Sequence, residues 1–194
     1  MQLELKKQKK KAALMQAAYE LFLKKGVPMT SVGDITARAG VAKGTFYLYF
    51  RDKDDILGAV SAAIYRQMLE EGYLKMCAGR TESFTENLIR LSDAVLDYLA
   101  QNRGVLELLR RGGRLPKLDR DSSLWRSLMR DLRQSPGREL EGKSEEEIFR
   151  TLYCLLSMGS SVACPAILRG DPEPVEKLKP TIFAIIRAAL SPET

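Results

Sequence analysis

Histidine is absent from all 194 residues. That absence excludes His-ligated zinc sites, Ser-His-Asp triads and Cys-His dyads, because each needs an imidazole as ligand or base. Cysteine is scarce: Cys77, Cys154 and Cys164 are an odd number with no close spacing. No disulfide framework is expected from them, only reduced and mostly buried thiols. No apolar run approaches the ~18–20 residues of a membrane-spanning helix, and no apolar signal region follows the lysine-rich start. Alternation of apolar and polar residues never persists long enough for a sheet. No carboxylate pair or phosphate-cradling loop stands out. The expectation is a non-enzymatic, cytoplasmic, helical protein without cofactor or metal and without a membrane partner.

What the chain does have is asymmetric charge. The net charge is +6. Residues 1–53 hold eleven Lys/Arg against four Asp/Glu, and residues 54–194 hold twenty against twenty-one. All the positive excess therefore sits in the first quarter of the chain. This is the electrostatic footprint of a nucleic-acid-binding module joined to a neutral partner domain. Lys6, Lys7, Lys9, Lys10 and Lys11 read equally well as a solvated helix start or as a phosphate-contacting arm.

Helical periodicity recurs throughout, so the expected architecture is all-α with about nine helices. Leu14, Ala17, Ala18, Leu21 and Phe22 predict a first helix over about residues 10–24, stopped by Gly26 and Pro28. Ser31 with Asp34 reads as a capping box for a second helix ending at Gly40. A third covers roughly 42–48 and a fourth runs from an Asp52 cap to about Cys77. Ser83 with Glu86 and Ser144 with Glu147 are two further capping boxes. A short helix is expected from Val105 to Arg111, before Gly112-Gly113, and another from Ser122 to Gln134, before Pro136-Gly137; Pro116 and Asp119 mark the loop between. Pro165 is expected to kink or end the helix that opens at Ser144. A final helix carries Val175, Leu178, Ile182, Ile185 and Ile186 on one stripe. The composition shift places a domain boundary at residue 53, giving a helix-turn-helix DNA-binding domain over 1–53 and a helical effector-binding and dimerisation domain over 54–194.

Between the second and third helices the chain reads Ala39-Gly40-Val41-Ala42-Lys43-Gly44-Thr45-Phe46-Tyr47-Leu48-Tyr49-Phe50, followed by Lys53. A Gly-Val turn sets two helices at a steep angle, and the second offers a cation, hydroxyls and phenols in a span too short to build its own core. Such an element suits a DNA major groove. Phe46 and Phe50, spaced i and i+4, are assigned to the core, and Tyr47 and Tyr49 to DNA contact. This stretch resembles the N-terminal helix-turn-helix of the TetR family of bacterial transcriptional regulators, and the likeness extends over about residues 10–58. Beyond that, helix count and lengths alone resemble the family.

The resemblance implies Lys43, Gly44, Thr45 and Tyr47 as groove-facing residues, and Thr30, Tyr49 and Lys53 as phosphate contacts. Gly44 lets backbone approach DNA closely, and the Thr45 methyl can meet a thymine methyl. Two departures weaken the local helices. Ala42 stands where the family usually has a capping serine, which costs roughly 1 kcal/mol, and Gly33 inside the second helix costs about as much.

A lone helix-turn-helix discriminates poorly, so a homodimer on a palindromic operator is expected. The helix from Ser144 is apolar on more than one face and needs cover on more than one side. The expected dimer surface comprises Ile148, Leu152, Leu155, Leu156, Gly159, Val175, Leu178, Ile182, Ile185 and Ile186. The resemblance also implies a small-molecule effector pocket, for which Phe84, Tyr98, Trp125, Met129, Phe149, Tyr153 and Met158 are candidates. The functional expectation is a ligand-responsive repressor that releases DNA by population shift. The alternative is a nucleoid-type protein that binds DNA by charge alone.

Overall fold

The computed structural model describes residues 2–111, 120–121, 123–134 and 142–191. Among these residues the chain is all-α, with nine helices and no strand. They are α1 (Gln2–Lys25), α2 (Val32–Ala39), α3 (Lys43–Tyr47), α4 (Lys53–Ala78), α5 (Phe84–Gln101), α6 (Arg103–Arg111), α7 (Ser123–Gln134), α8 (Glu145–Arg169) and α9 (Val175–Leu190). Gly112-Gly113, Pro116, Asp119, Ser122 and Pro136-Gly137, read as helix ends and loops, lie outside the described residues.

The chain divides into two compact units. One is drawn from Met1–Tyr65 with Gly104–Arg114, the other from Arg66–Arg103 with Leu115–Thr194. Residue 53 is therefore where α4 opens, while compactness divides α4 between Tyr65 and Arg66. The reason is core size: some fifty residues bury too little apolar surface to stand alone. The N-terminal core accordingly joins Leu14, Ala17, Ala18, Phe22, Ile35, Phe46 and Phe50 to Ile56, Leu57 and Val60 of α4 and Leu108 of α6.

α1 begins at Gln2, well before its apolar stripe starts at Leu14. Periodicity cannot mark these first turns, because residues 4–12 are all exposed; lysine and glutamine continue the helix by propensity alone. Gly26 adopts φ 82° and closes α1. Ser31 and Asp34 form the expected reciprocal capping box on α2, and Gly40 takes the left-handed conformation at φ 66°. The Val41 amide then reaches back to Thr36 O at 3.0 Å, which fixes the angle of the turn.

In the C-terminal unit α5, α7, α8 and α9 enclose Phe84, Ile89, Trp125, Met129, Leu132, Ile148, Leu152, Ile186 and Leu190. At Gly72 α4 packs tightly against α5: a Cβ there would stand 2.9 Å from Leu91 Cδ1. α8 does not end at Pro165 but continues through it to Arg169. The proline forfeits one amide, but Ala163, Ala166 and Ile167 around it are buried, and left-handed Gly170 closes the end by donating to Ala166 O at 3.0 Å. Over 18 residues α8 is also apolar enough, by length and composition alone, to match a membrane span.

The Ser83 hydroxyl caps α5 through the Glu86 amide, while the Glu86 carboxylate takes the Arg187 guanidinium of α9 at 2.7 Å. Lys179 of α9 is buried among Asp97, Asp93 and Glu176. Burial opposes its charge, but the three carboxylates hold it well above the ordinary lysine range. The expectation of mostly buried thiols fails at Cys154, which is exposed on α8; Cys77 and Cys164 are half-buried.

Candidate functional site

Within its five residues α3 separates inward from outward side chains. Phe46 is fully buried and packs against Phe50 with ring centroids 5.7 Å apart. Lys43 and Gly44 are exposed, as are Tyr47 at 54% and Leu48 at 79%. Thr45 is half-buried, its amide closing the first turn onto Ala42 O at 2.8 Å. Ala42 stands at the N-cap with extended backbone and no side-chain bond, as its lack of a hydroxyl requires. A Cβ on Gly44 would meet nothing within 4 Å. The fold itself does not require glycine there.

Leu48 carries no role in the sequence pattern, yet it is the most exposed large apolar residue beside the recognition face. Its signal is its place after Tyr47, one residue beyond the turn that buries Phe46.

Three expected phosphate contacts look different in three dimensions. Thr30 is 1% exposed, and its hydroxyl donates to Gly26 O at 2.8 Å. It is a clamp on the α1–α2 joint, and its side chain does not face solvent. Tyr49 is half-buried against the N-terminal core. Lys53 is half-buried and donates Nζ to Val27 O at 2.9 Å.

Ion pairs brace the module. Arg38 of α2 binds Glu20 of α1, with Nε 2.6 Å from the carboxylate. Lys25 binds Asp34 at 2.8 Å. The Lys25 ammonium, then the Ser31 amide and hydroxyl, hold the Asp34 carboxyl well below the usual carboxylate range. Glu20 is likewise lowered, by Gln16 and then Arg38.

In the C-terminal unit the candidate effector residues divide. Phe84, Trp125, Met129 and Phe149 share one apolar cluster, with Trp125 edge-on to Phe149 at 5.2 Å. The Arg120 guanidinium covers the Phe149 ring at 4.0 Å. Tyr98 is half-buried on α5. Tyr153 stacks on Phe149 but is 42% exposed. Met158 is half exposed and lines the open groove along α8 and α9. A polar group missed in the sequence lies elsewhere in this unit: buried Asp131 accepts from Tyr73 Oη at 2.8 Å and pairs with Arg80 at 3.0 Å. Burial and then Asp131 push the Tyr73 hydroxyl up to about 12.

The expected dimer residues divide too. Ile148, Leu152 and Val175 are buried within the protomer, so they serve its own packing. Leu155, Gly159, Ile182, Ile185 and Ile186 line an open apolar groove along α8 and α9 with Met158 and Val162. Leu156 and Leu178 are half-buried. No group of three or more His, Cys, Asp or Glu with metal-binding geometry occurs among the described residues.

Residues 14–60 match the family model described as bacterial regulatory proteins, tetR family. The HTH-type transcriptional regulator YvdT of Bacillus subtilis is 38% identical over 58 residues, 30% of this chain and 30% of its own. The fatty acid metabolism regulator protein of Bacillus subtilis is 43% identical over 51 residues, 26% of each chain. The chain thus aligns with less than a third of the length of these curated relatives. Among solved structures, FadR of Thermus thermophilus in complex with lauroyl-CoA superposes with a TM-score of 0.62 at 17% identity, covering 95% of this chain and 96% of that one. Bacillus subtilis FadR in complex with stearoyl-CoA gives 0.58 at 17% identity, over 93% and 99%. These likenesses carry the fold over nearly the whole length, and the sequence match is confined to residues 14–60. Over residues 14–60, this chain is similar to the TetR family of bacterial regulatory proteins.

Proposed function

We propose that the protein is a cytoplasmic, ligand-responsive transcriptional repressor that binds a palindromic DNA operator as a homodimer. The observation that carries this reading is the separation within α3, where Phe46 is buried while Lys43, Gly44 and Tyr47 face outward. A recognition helix needs both: an anchor that sets its angle and side chains that reach base edges. Lys43, Gly44, Thr45 and Tyr47 meet the groove, joined by Leu48 as an apolar contact for a thymine methyl. Tyr49 and Lys53 meet phosphates from the flank. The DNA-binding domain over 1–53 is completed by the first turns of α4, and the region from 54 onward binds effector and partner.

The dimer forms through α8 and α9, whose exposed Met158, Val162 and Ile185 need cover. The effector enters the cluster of Phe84, Trp125, Met129 and Phe149, whose apolar lining suits an acyl or aromatic body. The two FadR structures hold lauroyl-CoA and stearoyl-CoA, so acyl-CoA thioesters are the first class to test. Effector binding favours a spacing of the two heads that no longer matches the half-sites.

The test is selection of duplex from a random pool by the full chain, followed by titration of the selected duplex with lauroyl-CoA and stearoyl-CoA. A palindromic consensus released by a thioester is the expected result. Salt-sensitive binding with no preferred sequence supports the nucleoid-type alternative and ends this one.

A further inference from the structure

We propose that Lys6, Lys7, Lys9 and Lys10 on α1 form a second phosphate-binding surface, which extends the footprint on duplex DNA beyond the helix-turn-helix. The inference rests on the DNA-binding reading above and adds a contact surface to it.

The first turns of α1 have no packing reason to be there. Residues 4–12 are all exposed, and Leu14 is the first buried side chain. The charge is also left uncompensated. Farther along the module, Glu20 is engaged by Arg38 and Asp34 by Lys25. Glu4 lies 3.9 Å from Lys7, and among the described residues no carboxylate pairs with Lys6, Lys9 or Lys10.

The sign is wrong for the location. Cations stand at the positive end of a helix dipole, and Lys6–Lys10, Lys7–Lys11 and Lys6–Lys9 are like-charge neighbours on the helix surface. Both effects oppose α1 in the free protein. A polyanion reverses both.

The placement is favourable as well. The Lys11 ammonium sits 5.8 Å over the Phe50 ring, just past the recognition helix. Lys7, one turn earlier, continues that face. From Lys6 to Lys11 the helix advances ~7.5 Å, which spans about two phosphates on one strand at ~3.4 Å of duplex axis each. An anionic membrane is the less suitable polyanion. Leu5, half exposed, is the lone described apolar side chain between residues 4 and 11, so these turns offer no apolar face to insert.

The experiment compares the full wild-type chain with a Lys6→Gln, Lys7→Gln, Lys9→Gln, Lys10→Gln variant on a duplex selected by the wild type. Affinity is measured across a KCl series. The slope of log K against log salt should fall by about 2 per bound chain, at about 0.9 for each phosphate no longer neutralised. The preferred sequence should not change, and the free variant should melt no lower than wild type. The fourfold Lys→Arg variant should restore the slope. An unchanged slope on a duplex that still binds overturns the proposal and leaves the DNA-binding reading standing. So does capture of the wild type, but not the variant, by vesicles containing phosphatidylserine without any change in DNA slope. Failure of the wild type to bind any duplex overturns both.

Discussion

Lys53 and Val27 lie 26 positions apart in sequence, yet the lysine ammonium donates to the valine carbonyl at 2.9 Å. The first residue of α4 thereby holds the joint between α1 and α2. An ammonium carries three donors, so this bond leaves two for a phosphate. Lys53→Ala should therefore act twice. It should destabilise the protein by about 1 kcal/mol, lowering the melting temperature by roughly 2–4 °C for a chain of this size. It should also weaken binding to every duplex alike, with a salt slope smaller by about 0.9 per chain. Melting curves and a salt titration read the two effects separately. An unchanged slope would confine Lys53 to the joint.

Gly44 bears on the recognition surface more directly. A Cβ there meets nothing in the free protein, and alanine is the better helix former by about 1 kcal/mol. Gly44→Ala should fold with equal or greater stability. If backbone lies against a DNA edge at this point, the same methyl group should lower affinity by tenfold or more, about 1.4 kcal/mol. Equal affinity in a gel-shift titration would show that the duplex does not approach Gly44.

Two further substitutions should stabilise the module. Ala42 leaves α3 without a side-chain cap, so Ala42→Ser should add roughly 0.5–1 kcal/mol. Gly33 is exposed, and its added Cβ would rest 3.6 Å from Ser31 Oγ, an ordinary contact. Gly33→Ala should add about as much. Denaturant midpoints shifted upward with an unchanged slope would bear this out; a downward shift for either variant would refute it.

These local rules were legible because they act within a few residues. Ser31 with Asp34, Gly40 and the burial of Phe46 each follow from chemistry inside one turn. The long-range placements were not. Nothing near Lys53 announces that its ammonium reaches Val27 O, 26 positions away. Ile148 and Leu152 share a helical stripe with Leu155, yet they are buried while Leu155 lines the groove. A stripe tells which side is apolar but not which neighbour covers it. The first turns of α1 escaped for the opposite reason, since a mostly polar, fully exposed stretch has no period to detect.

Acid should loosen the N-terminal unit through Asp34. Its folded pKa lies below the ordinary value of 3.8, through Lys25 first and Ser31 second. A carboxyl lowered on folding contributes stability above its unfolded pKa, and that contribution is lost as pH falls through the folded value. Glu20, lowered by Gln16 and Arg38, acts in the same direction. The melting temperature should therefore drop as the solution is acidified below about pH 4. Asp34→Asn should melt lower than wild type at neutral pH and lose less across that acidic interval. Parallel curves for the two proteins would remove Asp34 from the account.

The groove along α8 and α9 gives the sharpest test of the dimer, because its residues differ in what they do for the single chain. Ile185 is 43% exposed, so a lysine there stays in water and the protomer folds. In a four-helix interface the same lysine would be buried without a partner, which costs about 3 kcal/mol or roughly 100-fold in self-association. Leu152, at 5% exposure, packs the protomer itself. Leu152→Ala should lower the melting temperature whatever the oligomeric state, since it opens a cavity worth about 2–5 kcal/mol. Sedimentation at micromolar concentration should show wild type as a dimer and Ile185→Lys as a folded monomer with weakened operator binding. A wild type that sediments as a monomer, or an Ile185→Lys chain that remains dimeric, would place the partner surface elsewhere.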